Sequence, residues 1–195
     1  MTPHIVILAA GDSSRLGRPK QLVKLGGRPA LHIVVSRAVA VAGSSVTVVL
    51  GAHAAEITPL LSKTSASWVL NREWQEGIAS SIRAGLAALP PACEAVLILL
   101  GDQVAVTSDD LRRLIDAWRG LDTTPAAAVY DGHVGVPAIF PYFCFSDLAQ
   151  LRGDQGARRV LERYRDRLVT VPMPNAAIDL DTPEQLEDLT RRFRE

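Results

Sequence analysis

Runs of β-branched and aliphatic residues alternate along the chain with stretches of helical periodicity. The runs predict β-strands at residues 4–10, 45–51, 67–71, 95–100, 126–130, 134–140 and 168–171. The periodic stretches predict helices at residues 29–42, 77–88, 108–118, 143–151, 156–164 and 183–193. Two of these helices have start signals, because Ser108 is a capping residue type and Thr182 is followed directly by Pro183.

The order of the predicted elements indicates the fold class. Strands alternate with helices, and several strands are apolar throughout, as strands covered on both faces are. We therefore expect an α/β protein with a mostly parallel sheet between two layers of helices, whose ligands bind at the carboxyl ends of the strands. The breaks at residues 90–91 and 123–125 are short enough to be ordinary loops. Residues 1–195 are expected to form a single domain.

Composition narrows the class of partner. The 21 Lys and Arg residues balance the 21 Asp and Glu residues, so no chain-wide basic field is available to hold DNA or RNA. Cys93 and Cys144 match no zinc or C-x-x-C spacing, which favours free thiols in a reducing compartment. The apolar start at residues 5–10 is too short to span a membrane, and no basic segment precedes it. We expect a cytoplasmic protein that binds neither nucleic acid nor membranes.

The first predicted strand leads into a loop with residue types suited to a triphosphate. Gly11 and Gly17 allow the backbone to approach phosphates with unusual angles. Ser13 offers a hydroxyl donor, and Arg15 and Lys20 can neutralise phosphate oxygens. The spacing matches neither G-x-G-x-x-G nor G-x-x-x-x-G-K-[ST]. On composition alone, a solvated, turn-rich connection therefore stays an alternative.

Two acidic segments offer candidate metal ligands. Asp102 directly follows the predicted strand 95–100, at the edge where an acid can reach a divalent cation; a turn or helix-cap role is the alternative. Asp179 and Asp181 precede the last predicted helix, and as alternate residues of an extended segment they point to the same face. Asp181 or Thr182 is also expected to cap that helix.

Two further segments combine small and polar residues near helix starts. Asn71 ends a predicted strand, and Gly77 and Ser81 open the next helix, an arrangement that can bind anions or polar rings. Later in the chain, Gly156 suits a tight turn before a helix whose Arg158 could meet a phosphate. The alternatives are ordinary helix-start serines, a capping aspartate and a solvated arginine.

Taken together, these segments resemble the MobA-like nucleotidyltransferases and, within that superfamily, the molybdenum cofactor cytidylyltransferases. Residues 8–20 are similar to the signature L-A-A-G-x-S-x-R-x-G-x-P-K, and residues 71–86 to N-x-x-W-x-x-G-x-x-S-S-x-R-x-G-L. Residues 101–104 are similar to G-D-Q-P, with Val104 in place of the proline. Residues 135–140, 153–158 and 178–186 are similar to G-x-P-x-x-F, G-D-x-G-A-R and D-I-D-T-P-E-D-L. The resemblance implies a three-layer α/β/α, Rossmann-like nucleotidyltransferase fold of the GT-A-like type in one MobA-like domain.

The resemblance also implies roles for individual residues. The catalytic residues would be Arg15, Lys20 and Asp102. The nucleotide-binding residues would be Leu8, Ala9, Ala10, Gly11, Ser13, Arg15, Lys20, Asn71, Gly77, Ser81 and Asp102. The acceptor-binding residues would be Gln103, Gly135, Pro137, Gly153, Asp154, Gly156 and Arg158. Mg²⁺, with Mn²⁺ as an alternative, would be held by Asp102 and by Asp181, which is favoured over Asp179.

The implied reaction transfers a nucleoside monophosphate from an NTP to a phosphorylated small molecule and releases pyrophosphate. The acceptor phosphate needs no general base, because its second pKa is about 6, and the sequence offers no catalytic triad motif or zinc-hydrolase histidine pair. Ala10, where guanylyl relatives tend to have glycine, favours CTP, with molybdopterin as the acceptor and a client molybdoenzyme as a transient partner. The alternatives are a GTP-, ATP- or sugar-phosphate-using enzyme of the superfamily and a catalytically silent nucleotide-binding chaperone. A nicotinamide dehydrogenase is disfavoured because the dinucleotide fingerprint is absent.

Overall fold

The computed structural model of the protein describes residues 2–121 and 123–193, apart from the side chain of Arg15. Its strands are β1 His4–Ala9, β2 Lys24–Leu25, β3 Arg28–Pro29, β4 Val46–Leu50, β5 Ser67–Leu70, β6 Ala95–Leu100, β7 Ala126–Tyr130, β8 His133–Pro141 and β9 Val169–Pro172. Its helices are α1 Ala30–Ala42, α2 Ala54–Leu61, α3 Ile78–Ala87, α4 Ser108–Trp118, α5 Phe145–Ala149, α6 Arg158–Arg163 and α7 Pro183–Arg192. Every strand and helix predicted from the pattern is present, with ends that differ by at most two residues.

Seven strands form one sheet in the order β5-β4-β1-β6-β8-β7-β9. β5, β4, β1 and β6 run parallel, β8 is antiparallel to its neighbours β6 and β7, and β9 is parallel to β7. The two-residue turn from β7 to β8 consists of Asp131 and Gly132, both with positive φ (50° and 74°), as tight hairpin turns require. The expected mostly parallel sheet is confirmed.

Helices cover both faces of this sheet. Successive residues of β1 point to opposite faces, so Ile5 and Ile7 join a core with α1, α4 and α7, while Val6 and Leu8 join a second core with α3, α5 and α6. This is the three-layer α/β/α arrangement expected from the sequence. Among the described residues, no helix combines the length and the hydropathy needed to cross a membrane.

Three local details differ from the sequence prediction. The pattern does not predict α2, because Pro59 lies inside it and proline disfavours helix interiors. The cap of α4 is Thr107 rather than Ser108, since the Thr107 hydroxyl accepts a hydrogen bond from the backbone N–H of Asp110 at 3.1 Å. The hairpin of β2 and β3 is too short to leave a periodic signal.

The carboxyl ends of β1, β4 and β6 lie side by side at one edge of the sheet. Ala9 pairs with Leu50 across β1 and β4, and Leu8 pairs with Leu100 across β1 and β6. The backbone N–H of Gly101 donates to the carbonyl of Leu8 at 2.9 Å. The loops that follow β1 and β6 therefore begin next to each other at the centre of the sheet.

Candidate active site

A cleft of about 330 Å³ opens at this edge of the sheet. The predicted nucleotide-binding residues that line it are Leu8, Ala9, Ala10, Gly11, Lys20, Gly77, Ser81 and Asp102. Residues that the sequence analysis did not single out also line it: Asp12, Gln21, Trp74, Gln75, Ile78, Leu100 and Gly101. The fold thus brings the loop after β1, the start of α3 and the end of β6 into one cavity.

The loop after β1 is held in shape by a buried glutamine. Gln21 is 2 % exposed, and its amide nitrogen donates to the carbonyls of Ala9 and Gly11, each at 3.2 Å. The Ser13 hydroxyl donates to the Gln21 side-chain oxygen at 3.4 Å and accepts from the backbone N–H of Lys20 at 3.1 Å. Ser13 and Gly17 both have positive φ (59° and 69°), so the loop folds back on itself. Ser13 therefore closes the loop from within.

Gln21 carries no signal that the sequence analysis could have used. Its partners are backbone carbonyls, and backbone groups leave no trace in a residue pattern. Arg15, the second predicted catalytic cation, has its side chain outside the described part of the chain, so its role stays a prediction.

The structure brings three charged residues with predicted roles into direct contact. The ammonium group of Lys20 donates to Oδ2 of Asp102 and, at 2.7 Å, to Oδ1 of Asp181. Burial alone would lower the pKa of Lys20, but the two carboxylates outweigh this effect and raise the pKa above its ordinary value. The amine is therefore held in its charged form between the two acids.

The two acids fit a divalent cation. Both reach the same ammonium nitrogen, so both can reach one ion at that position. Among the described atoms, the buried Oδ1 of Asp102 has no hydrogen-bond partner. Within residues 2–121 and 123–193, no three His, Cys, Asp or Glu side chains converge as a metal-binding group. Mg²⁺ needs only one or two protein carboxylates when phosphate oxygens and waters complete its shell, which is the number available here.

On the opposite wall, Asn71 supports the start of α3. Its buried amide nitrogen donates to the hydroxyls of Ser80 (2.8 Å) and Ser81 (3.1 Å), and its oxygen accepts from the backbone N–H of Glu73 at 2.9 Å. Ser81 lines the cleft, whereas Asn71 lies behind it. Trp74 forms part of the same wall.

The predicted acceptor residues Gly153 and Asp154 pack directly against this wall. The carbonyl of Gly153 accepts from the backbone N–H of Ala79 at 3.1 Å, and its N–H donates to Glu76 at 3.3 Å. Arg83 pairs with Glu76 and donates to the carbonyl of Leu151 at 2.8 Å. The loop at residues 151–156, called the acceptor-side loop after its predicted role, is therefore anchored to the start of α3, called the nucleotide-side wall after its predicted role. Gly156 adjoins the same wall, since a Cβ there would lie 4.0 Å from Ile78.

Gln103, Gly135 and Pro137 form a framework behind the cleft. The Gln103 amide is 1 % exposed, donates to the carbonyls of Val136 (2.9 Å) and Ala176 (3.1 Å), and accepts from the N–H of Leu100 at 3.2 Å. Pro137 is buried and follows a cis peptide bond. Gln103 thus ties the end of β6 to β8 and to the segment before Asp179.

Tyr130 lies beside Gly135, one of the predicted acceptor residues, and the sequence analysis did not single it out. Its hydroxyl packs against the backbone of Gly135, where a Cβ would collide with it. Burial, and after it the negative charge of Asp179, raise the pKa of Tyr130, while Arg158 opposes this rise. Arg158 itself is exposed and pairs with Glu162 at 3.4 Å. A tyrosine at the end of a strand belongs to no motif, so only the tertiary structure reveals it.

Comparison with known proteins identifies the family and agrees with the fold. The sequence model of the MobA-like NTP transferase domain matches residues 5–168. A structure from Mycobacterium sp. strain JC1, described as a homologue of Rv0371c, is 30% identical, covers 100% of this chain and 98% of its own, and superposes with a TM-score of 0.84. Rv0371c of Mycobacterium tuberculosis H37Rv in complex with manganese is 26% identical, covers 98% of this chain and 99% of its own, and gives a TM-score of 0.80.

Among curated proteins, the bifunctional protein GlmU of Sorangium cellulosum is 33% identical over 129 residues, which are 63% of this chain and 27% of GlmU. The chain thus spans about a quarter of the length of the curated relatives it matches.

Proposed function

Because the chain belongs to the family of MobA-like NTP transferase domains, we propose that it transfers a nucleoside monophosphate from an NTP to a phosphorylated small molecule and releases pyrophosphate. One observation carries the proposal. Lys20 and Asp102 line the cleft beside the loop after β1, and the ammonium group of Lys20 joins Asp102 to Asp181. This arrangement combines a cation, two carboxylates and a glycine-containing loop, which together suit a triphosphate.

The chain's own residues can align and neutralise the reacting phosphates. A Cβ at Gly11 would meet nothing within 4 Å, so the backbone there faces open space that a phosphate can approach. Gln21 holds that backbone in place, and Lys20 supplies positive charge beside it. The acceptor phosphate oxygen attacks the α-phosphorus, the bond to the β-phosphate breaks, and pyrophosphate leaves. No general base is required, since the acceptor phosphate has a second pKa of about 6.

Mg²⁺ is the proposed cofactor, with Mn²⁺ as the alternative, held by Asp102 and Asp181. When bound, it would supply positive charge against the charge that develops on the phosphates. The manganese named in the Rv0371c complex supports this choice.

CTP is the proposed donor and molybdopterin the proposed acceptor. Ala10 lines the cleft, and its methyl group would leave less space for a purine than the glycine that guanylyl relatives tend to have there. The acceptor would approach from the side of Gly153, Asp154 and Tyr130, and a molybdoenzyme would be a transient partner that receives the product. These finer choices rest on the resemblance of the motifs and stand apart from the proposal of nucleotidyl transfer itself.

A pyrophosphate-release assay with ATP, CTP, GTP and UTP, in the presence of molybdopterin and Mg²⁺, tests both the proposed nucleotidyl transfer and the choice of donor nucleotide. We expect CTP to give the highest turnover. Lys20→Ala and Asp102→Asn should each lower the turnover by at least ~100-fold, because each removes charge next to the reacting phosphates. The exposed residues Lys24 and Asp109 offer matched controls, and Lys24→Ala and Asp109→Asn should stay within about twofold of wild type.

Near-normal turnover in folded Lys20→Ala and Asp102→Asn would overturn the proposed chemistry. A higher turnover with another NTP would redirect the donor assignment and leave the chemistry intact. Nucleotide binding without turnover would instead favour a silent nucleotide-binding module.

A further inference from the structure

Lys20 occupies the position at which a divalent cation would bridge the two acids. Its ammonium group contacts Asp102 and lies 2.7 Å from Oδ1 of Asp181. The side chains of Lys20, Asp102 and Asp181 are 20 %, 11 % and 22 % exposed. At this degree of burial the ion pairs are screened less by solvent than surface pairs are. A divalent ion that binds both acids therefore has to compete with the ammonium group of Lys20.

The backbone of Lys20 is fixed, but its side chain can move. The backbone N–H donates to Ser13 at 3.1 Å, and the carbonyl accepts from the backbone N–H of Val23 at 3.2 Å. The ammonium group, in contrast, sits at the end of a flexible four-carbon chain. It can therefore leave the acids by a change of rotamer while the loop keeps its shape. Lys20 and Gly11 line the same cleft, so the phosphates of a nucleotide bound there would lie within reach.

The charges determine which partner the ammonium group prefers. In the structure, the carboxylates of Asp102 and Asp181 are anionic partners of the ammonium group. A triphosphate in the cleft offers more negative charge, so it would draw the ammonium group away from these two acids. Lys20 would then serve in both states, first as the counter-ion of the acids and then as a phosphate ligand.

We propose that Lys20 is a built-in placeholder cation, which keeps a divalent metal ion off Asp102 and Asp181 until a triphosphate draws the ammonium group away. This device makes metal binding depend on the nucleotide, so the cleft does not fill with metal alone. The proposal rests on the metal-using part of the proposed function.

Binding of Mn²⁺ in the absence of any nucleotide, followed by electron paramagnetic resonance of the free ion, tests the proposal. Wild-type protein should bind Mn²⁺ weakly. Lys20→Met, which keeps the length of the side chain and removes the charge, should bind it at least ~10-fold more tightly. Lys20→Arg restores the charge and should return the affinity towards that of wild type. Lys24→Met, at an exposed lysine nearby in sequence, is the matched control and should behave as wild type.

The double variant Lys20→Met/Asp102→Asn shows where the additional Mn²⁺ binds. If the Mn²⁺ affinity gained in Lys20→Met is lost in the double variant, the ion binds to Asp102. Lys20→Gln serves as a second uncharged variant if Lys20→Met does not fold. An unchanged or weaker affinity in a folded uncharged variant would overturn the proposal, as would a gain that persists in the double variant. The Mn²⁺ titration contains no nucleotide and measures no turnover. A result against the placeholder role of Lys20 would therefore leave the pyrophosphate-release assay as an independent test of the proposed function.

Discussion

Gly77 sits where the nucleotide-side wall and the acceptor-side loop meet, and its backbone leaves no room for a side chain. It has a φ of +116°, and a Cβ would lie 2.5 Å from both Oδ1 of Asp154 and the carbonyl oxygen of Gly153. The loop 151–156 is held against this wall by Ala79, Glu76 and Arg83, so it cannot yield without losing those contacts. A side chain added at Gly77 is therefore expected to disturb both the nucleotide-side wall and the acceptor-side loop.

Gly77→Ala should therefore weaken CTP binding by at least ~10-fold and lower the free energy of unfolding by more than the ~1 kcal/mol expected from backbone strain alone. Gly120 supplies the control, because it also has a positive φ (+78°) but a Cβ there would meet nothing within 4 Å. Gly120→Ala should cost ~1 kcal/mol and leave CTP binding unchanged. Isothermal titration and urea unfolding measure the two effects. Equal losses of CTP affinity and of stability in Gly77→Ala and Gly120→Ala would refute the role given to the contact between Gly77 and the acceptor-side loop.

Single residues differ in how far sequence alone identifies them. Sequence motifs single out Lys20, Asp102 and Asp181 one by one, and the structure adds the direct contact between them. They single out neither Gln21 nor Tyr130, since Gln21 acts on backbone carbonyls and Tyr130 packs on a glycine of the neighbouring strand. Sequence patterns identify side chains that face a ligand more readily than those that shape the site from behind.

At the scale of elements, Asp110 joins the start of α4 to the segment that contains Asn175. Asp110 completes a capping box with Thr107, and its Oδ2 also accepts from the side-chain amide of Asn175 at 2.8 Å. Arg113 donates to its Oδ1 at 2.5 Å. Burial opposes the charged form, but these hydrogen bonds outweigh it and hold the pKa of Asp110 below its ordinary value. The carboxylate therefore stabilises the folded state in its charged form.

Asp110→Asn should lower the free energy of unfolding at pH 7 by ~1 kcal/mol, because an amide cannot accept all of these hydrogen bonds. The stabilisation by Asp110 is fully present above the ordinary aspartate pKa of about 4 and is lost as the pH falls through the lower folded-state pKa. The difference in the free energy of unfolding between wild type and Asp110→Asn should thus become smaller in the acid range. Urea unfolding at a series of pH values measures it, with the exposed Asp109→Asn as control. A constant difference down to pH 3 would contradict this assignment.

The pattern predicts most elements because their periodicity is strong. The fully buried run of β4 and the apolar core of β6 read as interior strands. α2 escapes the pattern because of Pro59, and the hairpin of β2 and β3 is only a few residues long. Where an element is short or contains a proline, tertiary contacts override local preference.

At the scale of the whole molecule, the site depends on an arrangement that no local pattern contains. The neighbouring parallel strands β1 and β6 bring the loop after β1 next to Asp102, as expected for loops at the carboxyl ends of adjacent strands. Two other features arise only from the assembled fold. Antiparallel β8 is inserted between β6 and β7, and residues 151–154 are anchored on the start of α3. The sequence therefore predicts which residues line the cleft better than it predicts how residues 151–154 pack against it.

The proposed reaction breaks the bond between the α- and β-phosphates of an NTP in this cleft and transfers the nucleotidyl group. The most direct measurement incubates the protein with molybdopterin, Mg²⁺ and CTP that carries ³²P at either the α- or the γ-phosphate. We predict that the α-label appears in the acceptor product and the γ-label in pyrophosphate, and that Lys20→Ala abolishes both. Transfer of the γ-label to the acceptor, or its release as inorganic phosphate with no labelled product, would contradict the account.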